Sequence, residues 1–248
     1  MPDFKDNFST HADIYARFRP VYPPGLFAYL ASLTPTHDLA WDCGTGNGQS
    51  AAGLVPYYRS VYATDPSEQQ VKLAPPHGRI VYRVEKAETP GLPDRSVDLV
   101  TVAQALHWFD FDLFYASVKR VLKPGGVFAA WAYGLPDIDP PLDEAVKRLH
   151  DETLGSFWKA ENRFIDLEYK TIPFPFEALE TPRFYITQKM KLNDLCGLLY
   201  SWSAVQAYIR TRGADPVGEM LPELGRLWGN TGEEKTVRWE LFLKVGRI

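Results

Sequence analysis

The chain has 248 residues, 45% apolar and 23% charged, enough for a sizeable core; this excludes a disordered chain, a coiled coil or a collagen-like fibre. Lys and Arg total 27 against 31 Asp and Glu, and a net charge of -4 speaks against a nucleic-acid binder that neutralises a phosphate backbone. Two cysteines, Cys43 and Cys196, are too few for a disulfide framework, and no stretch reaches the ~18 apolar residues of a membrane span. The opening Met-Pro-Asp-Phe-Lys-Asp-Asn is polar and lacks the apolar run of a secretory leader. These features predict a cytoplasmic protein that partners neither nucleic acid nor membrane.

In chain order, Phe4, Phe8, Ala12 and Tyr15 share one face of an amphipathic helix within residues 1–19. Pro23-Pro24 opens a second helix through Leu26, Phe27 and Leu30. From residue 38 strands alternate with helices. Strands are expected at 39–43, 60–64, 79–84, 97–103 and 127–131. Helices are expected at 48–55, from Ser67 (with Gln70 as capping partner) to about 74, and at 111–122, before a Pro124-Gly125-Gly126 turn. This alternation predicts βαβ units and a doubly wound, parallel α/β sheet.

Past Pro136 the alternation lapses. Residues 141–170 read as mainly helical, a Pro-Phe-Pro-Phe joint follows at 173–176, and a strand is expected at 184–190. Two or three aromatic-rich helices fill 193–230 before a last strand at 236–245. The organisation expected is one domain over 1–248. It comprises a helical lid at 1–36, a ligand-binding core at 37–135, an insertion at 136–182, and C-terminal strands and helices at 183–248.

The first strand ends in Asp42-Cys43-Gly44-Thr45-Gly46-Asn47-Gly48. Glycines there allow a sharp turn and a close backbone approach to a ligand. A dinucleotide fingerprint requires a glycine where Gln49 stands, and no lysine follows to complete a phosphate-cradling loop. An acid beside the loop repels a pyrophosphate and suits a cationic or ammonium-bearing ligand. Asp65 closes the second strand, where an acid can accept both hydroxyl protons of a ribose.

Together with Ala87-Glu88 and Leu122-Lys123-Pro124-Gly125-Gly126, these motifs resemble those of class I S-adenosylmethionine-dependent methyltransferases over residues 38–131. The opening stretch (Phe8, Ala12, Tyr15, Arg19-Pro20, Tyr22-Pro23) and Gln104-Ala105-Leu106-His107-Trp108 are similar to the trans-aconitate methyltransferase-like small-molecule group. Ser201-Trp202-Ser203 extends that likeness more loosely. The resemblance implies a Rossmann-like, seven-stranded, mostly parallel sheet with the last strand antiparallel, and S-adenosyl-L-methionine as cofactor. It places Gly44 and Gly46 under the methionine part, with Asp42 and Thr45 in the same set. Asp65 falls on the ribose, Ala87 and Glu88 beside the adenine, and Gln104 near the sulfonium. Tyr15 and Arg19 fall in a lid over the cofactor. Lys86 stands where many relatives carry an acid toward the adenine amino group.

Methyl transfer is an in-line displacement, so the protein chiefly holds nucleophile and methyl carbon close and aligned. A carboxylate acceptor is ionised at pH 7 and needs no base. A phenol, amine or activated carbon does, and His107, just past the fourth strand, is the candidate. A packed, strand-capping histidine is the other reading of His107. Trp108 and Trp202 are expected to wall the substrate pocket. Tyr200 and Tyr208 enclose substrate or pack in the core, and the run Phe109, Phe111, Phe114, Tyr115 reads either way. The scattered histidines partner no cysteine at ligand spacing, so no metal site is predicted. The function expected is methyl transfer to a small molecule, with a carboxylic acid as candidate class. Its rivals are a non-catalytic protein binding the same cofactor and an NAD-linked oxidoreductase.

Overall fold

Five short apolar runs build the parallel half of one sheet. They are β1 (Leu39–Cys43), β2 (Ser60–Asp65), β3 (Ile80–Val84), β4 (Val97–Ala103) and β5 (Leu122–Tyr133), in the order β3-β2-β1-β4-β5. In this computed structural model residues 20–248 are described, and the helix expected within 1–19 lies outside them, with Tyr15 and Arg19. Residues 97–102 of β4 are all buried, four apolar residues together with Asp98 and Thr101, as in a central parallel strand covered on both faces.

The chain then adds β6 (Glu177–Ala178), β7 (Tyr185–Met190) and β8 (Lys235–Arg247). β8 lies antiparallel beside β5, from Val127 opposite Arg247 to Tyr133 opposite Leu241. Both β6 and β7 pair with β8, β6 at Gly246 and Arg247, β7 from Lys235 to Glu240. Val245 O accepts from Leu179 N while Leu241 N donates to Phe184 O. Residues four apart on a strand present their polar groups to the same edge, so β6 and β7 share one outer position. Eight strands therefore fill the seven positions expected, with the antiparallel one as expected. The two-residue β6 is the strand that the sequence did not show.

Helices α1 (Pro24–Ser32), α2 (Gln49–Leu54), α3 (Glu68–Leu73) and α4 (Phe111–Val121) connect or flank the parallel strands. Their starts follow local chemistry: Pro24 opens α1, Ser67 Oγ accepts from Gln70 N, and the Asp110 carboxylate accepts from Leu113 N. On β5, Val127, Ala129 and Trp131 join one core cluster and Phe128, Ala130 and Ala132 the other. This period-two division means that apolar layers cover both faces of the sheet, as in a doubly wound fold. Among the described residues no helix is long and apolar enough to cross a membrane.

Two expectations change. The Pro124-Gly125-Gly126 turn lies inside β5: Val97 faces Leu122 while Leu99 faces Val127, so the intervening residues bulge. Arg247 then donates to the Gly125 carbonyl at 2.6 Å and fastens the bulge. The stretch 141–170 is a broken helix: after α5 (Pro140–Arg148) come a π-helical turn (Leu149–Thr153), two 3-10 turns (Gly155–Phe157, Ala160–Asn162) and the four-residue α6 (Arg163–Asp166). Gly155, a poor helix former, stands at the break. Helices α7 (Leu192–Tyr200), α8 (Ser203–Arg212) and α9 (Pro216–Trp228) follow.

At the amino-terminal end of the central strands, Asp98 is 1% exposed. Its carboxylate accepts from the Asp38 and Leu39 amides and from Lys123 Nζ, each at 2.8 Å, and from the Thr36 hydroxyl. Burial alone would raise its pKa, but these hydrogen bonds and the lysine charge outweigh it and hold it below the ordinary value. Asp98→Ala leaves two amides unpaired and is expected to lower stability by on the order of 2–4 kcal/mol, read by chemical denaturation. Because the folded-state pKa is depressed, this contribution is complete above the ordinary carboxylate range. In the wild type it is lost as pH falls below about 4, and the variant's pH–stability curve should be flatter there.

Candidate functional site

The strand order reverses between β1 and β4, and open α/β sheets bind ligands at such a point, beyond the carboxyl ends of the strands. A cavity of about 510 Å³ lies there, within the range of small-molecule sites. The loop after β1, the end of β2, residues 103–105 and 107–109 at the end of β4 and beyond it, and residues 133–136 at the end of β5 and beyond it all line it.

The glycine loop is shaped by contact with β4. Gly44 has φ +68°, and a Cβ there would lie 2.6 Å from Ala105 Cβ. Asp42 is fully buried and accepts from Thr45 Oγ1 at 2.5 Å and from Thr101 Oγ1 at 2.8 Å. Burial raises its carboxyl pKa, opposed by those two hydroxyls. Asp42 is not among the cavity-lining residues, and its carboxylate braces the loop through Thr45 and Thr101. Gly44, Thr45 and Gly46 do line the cavity, with Asp65 beside them. Asp65 accepts from Gly46 N and Ser67 N, one bond to each carboxylate oxygen and both at 2.9 Å.

Gln104 follows β4 with φ +55°, a left-handed conformation that is uncommon for a side-chain-bearing residue. Its backbone N donates to Trp131 O at 2.8 Å, and its Nε2 donates to Tyr133 O at 3.1 Å. Its Oε1 is buried without a hydrogen-bond partner in a residue that lines the cavity. An unpaired buried carbonyl oxygen is costly, and a donor-bearing ligand would satisfy it.

His107 also lines the cavity but is only 4% exposed. Its Nδ1 lies 2.8 Å from Tyr169 Oη, and burial pushes its pKa down to about 3. Trp108 and Trp202 line the cavity as expected of pocket walls. Ala87 and Glu88 do not line it: Ala87 is buried, and Glu88 accepts from Asp110 N at 3.2 Å and, through its carbonyl, from Ser117 Oγ. Tyr200 donates to Asp215, and Tyr208 packs on Phe157, both outside the lining. Phe109 is at the cavity wall, while Phe114 and Tyr115 belong to the core.

The residues that sequence reasoning missed come from the broken helix: His150, Trp158, Lys159, Asn162 and Asp166 also line the cavity. A segment read as helix offers no periodicity that picks them out. A surplus of aromatic and ionisable residues at 150–166 was its only signal.

A family profile described as a methyltransferase domain matches residues 41–130, the stretch that contains the glycine loop, Asp65, Gln104 and His107. The chain is 35% identical over 239 residues to a Dictyostelium discoideum protein named as a methyltransferase, covering 94% of this chain and 91% of that one. It is 28% identical over 241 residues to a Saccharomyces cerevisiae protein named as S-adenosylmethionine-dependent, covering 82% of each. A solved structure from Anaeromyxobacter dehalogenans, described as a type II methyltransferase, shares 43% identity at a TM-score of 0.87, over 93% of this chain and 98% of that one. Fold, site and relatives thus define an α/β methyl-transferring enzyme. The chain belongs to the class I S-adenosylmethionine-dependent methyltransferases, and S-adenosylmethionine is its cofactor. The residues present fit that group: the loop keeps Gly44 and Gly46 free of side chains, and the orphaned Gln104 oxygen awaits a donor.

Gly44→Ala would place a methyl group against Ala105 at a φ that alanine avoids. It is expected to lower the melting temperature and to abolish the thermal shift produced by S-adenosylhomocysteine, both read by differential scanning fluorimetry.

Proposed function

We propose that the chain transfers the methyl group of S-adenosylmethionine to a small-molecule acceptor, with a carboxylic acid as the first acceptor class. The observation that carries this is one cavity whose lining joins the glycine loop, Asp65 and Gln104 to Trp108, Trp158, Lys159 and Trp202. When bound, the cofactor supplies an electrophilic methyl group. Asp65, held at the cavity edge by the Gly46 and Ser67 amides, is the carboxylate for the ribose hydroxyls. Thr45, Gly44 and Gly46 bound the methionine part, and the Gln104 oxygen accepts from a ligand donor.

The acid reading draws support from two groups. Lys159 lines the cavity with its Nζ 5.6 Å from the Trp108 ring and brings a cation suited to a carboxylate. His107, held neutral by burial, is a weak base at neutral pH, which suits an acceptor already ionised on arrival. The likeness of residues 104–108 and Tyr22-Pro23 to the trans-aconitate methyltransferase-like group points the same way. Family membership sets aside the NAD-linked oxidoreductase.

A saturating ligand, at about 100 times its Kd, adds roughly 2.7 kcal/mol, several degrees of melting temperature for a chain of this size. Wild type should show that shift with S-adenosylmethionine but not with NAD, and Asp65→Ala should lose most of it; an undiminished shift in the variant overturns the ribose assignment. Tritiated methyl from the cofactor should appear in base-labile esters of small carboxylic acids, and the absence of any such ester rejects the acid class. His107→Phe leaves the Tyr169 hydroxyl without its ring partner, and the expected outcome is a lower melting temperature with proportionate loss of turnover. A large fall in kcat at unchanged melting temperature would restore His107 as the base.

A further inference from the structure

A second histidine lines the same cavity. His150 lies in the π-helical turn Leu149–Thr153, a rare geometry that recurs at functional sites. Its Nδ1 is 2.7 Å from Asp151 Oδ1. A carboxylate accepts, so this bond makes Nδ1 the protonated nitrogen of the neutral ring and leaves the lone pair on Nε2. Nε2 has no hydrogen-bond partner among the described residues. The Asp166 oxygen stands 3.8 Å away, beyond bonding distance. Two indoles set the ring: Trp158 lies against it at 4.7 Å between centroids and donates its Nε1 to the His150 carbonyl, while Trp202 meets it edge-on at 5.8 Å. The charged groups around the imidazole are Asp151 on its own turn, Asp166 on α6, and Lys159 and Glu161, which line the same cavity.

We propose that His150 is a catalytic base for acceptors whose reacting group is a neutral hydroxyl, with Asp151 as its positioning residue, so that the chain methylates aromatic hydroxyls as well as acids. The proposal rests on the small-acceptor reading above and widens it. His107 does not fill this place, because its Nδ1 is engaged by Tyr169 in a nearly closed environment. Asp151 and the flanking indoles hold the His150 ring still, the arrangement by which a carboxylate orients an imidazole base. In the step, an acceptor oxygen lone pair forms the new O–C bond and the S–C electron pair remains on sulfur, which loses its positive charge. The hydroxyl proton passes to His150 Nε2, the imidazolium is held by Asp151, and the proton then leaves to water. The indole walls of Trp108, Trp158 and Trp202 suit a planar aromatic acceptor.

The test uses the full chain with matched probes, 1-naphthol and 1-naphthoate, and tritiated S-adenosylmethionine. His150→Phe, which keeps a ring between the indoles, should lower transfer to 1-naphthol by about 100-fold or more, as loss of a general base does. Transfer to 1-naphthoate should fall much less, so that the ratio of naphthol to naphthoate transfer drops by at least about tenfold, and the cofactor-induced thermal shift should persist. Equal losses on both probes, or no transfer to 1-naphthol by a wild type that esterifies 1-naphthoate, overturn the proposal. No transfer to either probe removes the small-acceptor reading and this proposal with it. Independently of turnover, nitrogen-15 NMR of histidine-labelled protein at pH 8 should show His150 with a protonated Nδ1 and a bare Nε2, and Asp151→Asn should shift that tautomer balance. A bare Nδ1 in the wild type, or no change in Asp151→Asn, rejects the assignment even if the His150 variant proves unstable.

Discussion

Asp42 ties the glycine loop to the strand on the other side of the switch point. Its two oxygens engage Thr45 in the loop and Thr101 on β4, residues that meet only when β1 and β4 lie side by side. The carboxylate is fully buried, and burial is unfavourable to its charge, so both hydroxyls are needed. Gly44 then comes so close to Ala105 that no side chain fits between them. The spacing between the two loops follows from this packing, and the open end of the cavity is what remains once they are seated. Mobility at this joint would blur every ligand contact, whereas a braced turn presents the backbone at a fixed distance.

The rest of the site divides by origin. Asp65 and Gln104 sit on strand ends, where sheet hydrogen bonds hold the backbone and leave side chains at the cavity edge. Another part of the wall comes from an interrupted helix whose π and 3-10 turns expose successive residues on irregular headings. One part of the wall is thus a rigid scaffold suited to an invariant ligand. The other part of the wall is a short insertion outside the sheet.

Two histidines reach the same cavity and differ in chemistry because their surroundings differ. His107 follows a central strand and sinks against Tyr169, where desolvation keeps it neutral. His150 sits on a solvent-side turn next to two carboxylates and between two indoles. Position in the chain favoured His107, whereas geometry assigns the oriented imidazole to His150. Burial strips a histidine of basicity as readily as it protects it, so proximity to a catalytic strand is a poor guide to its role.

The sequence by itself determined the doubly wound core, the strand ends, the glycine loop and Asp65, because each is written in adjacent residues. A mostly apolar, β-branched stretch specifies β4, Ser67 and Asp110 cap the following helices, and the loop glycines meet a local need for positive φ. Tertiary structure alone decided that Asp42 bonds to Thr45 and Thr101, that Ala87 and Glu88 stand outside the cavity lining, and that residues from 150 to 166 contribute to that lining. It also drew the Pro-Gly-Gly turn into β5 as a bulge and divided the outer edge between β6 and β7. The physical reason is range: dihedral preferences and caps act over a few residues, while the pairs Asp42–Thr101 and His107–Tyr169 join distant segments that carry no shared periodicity.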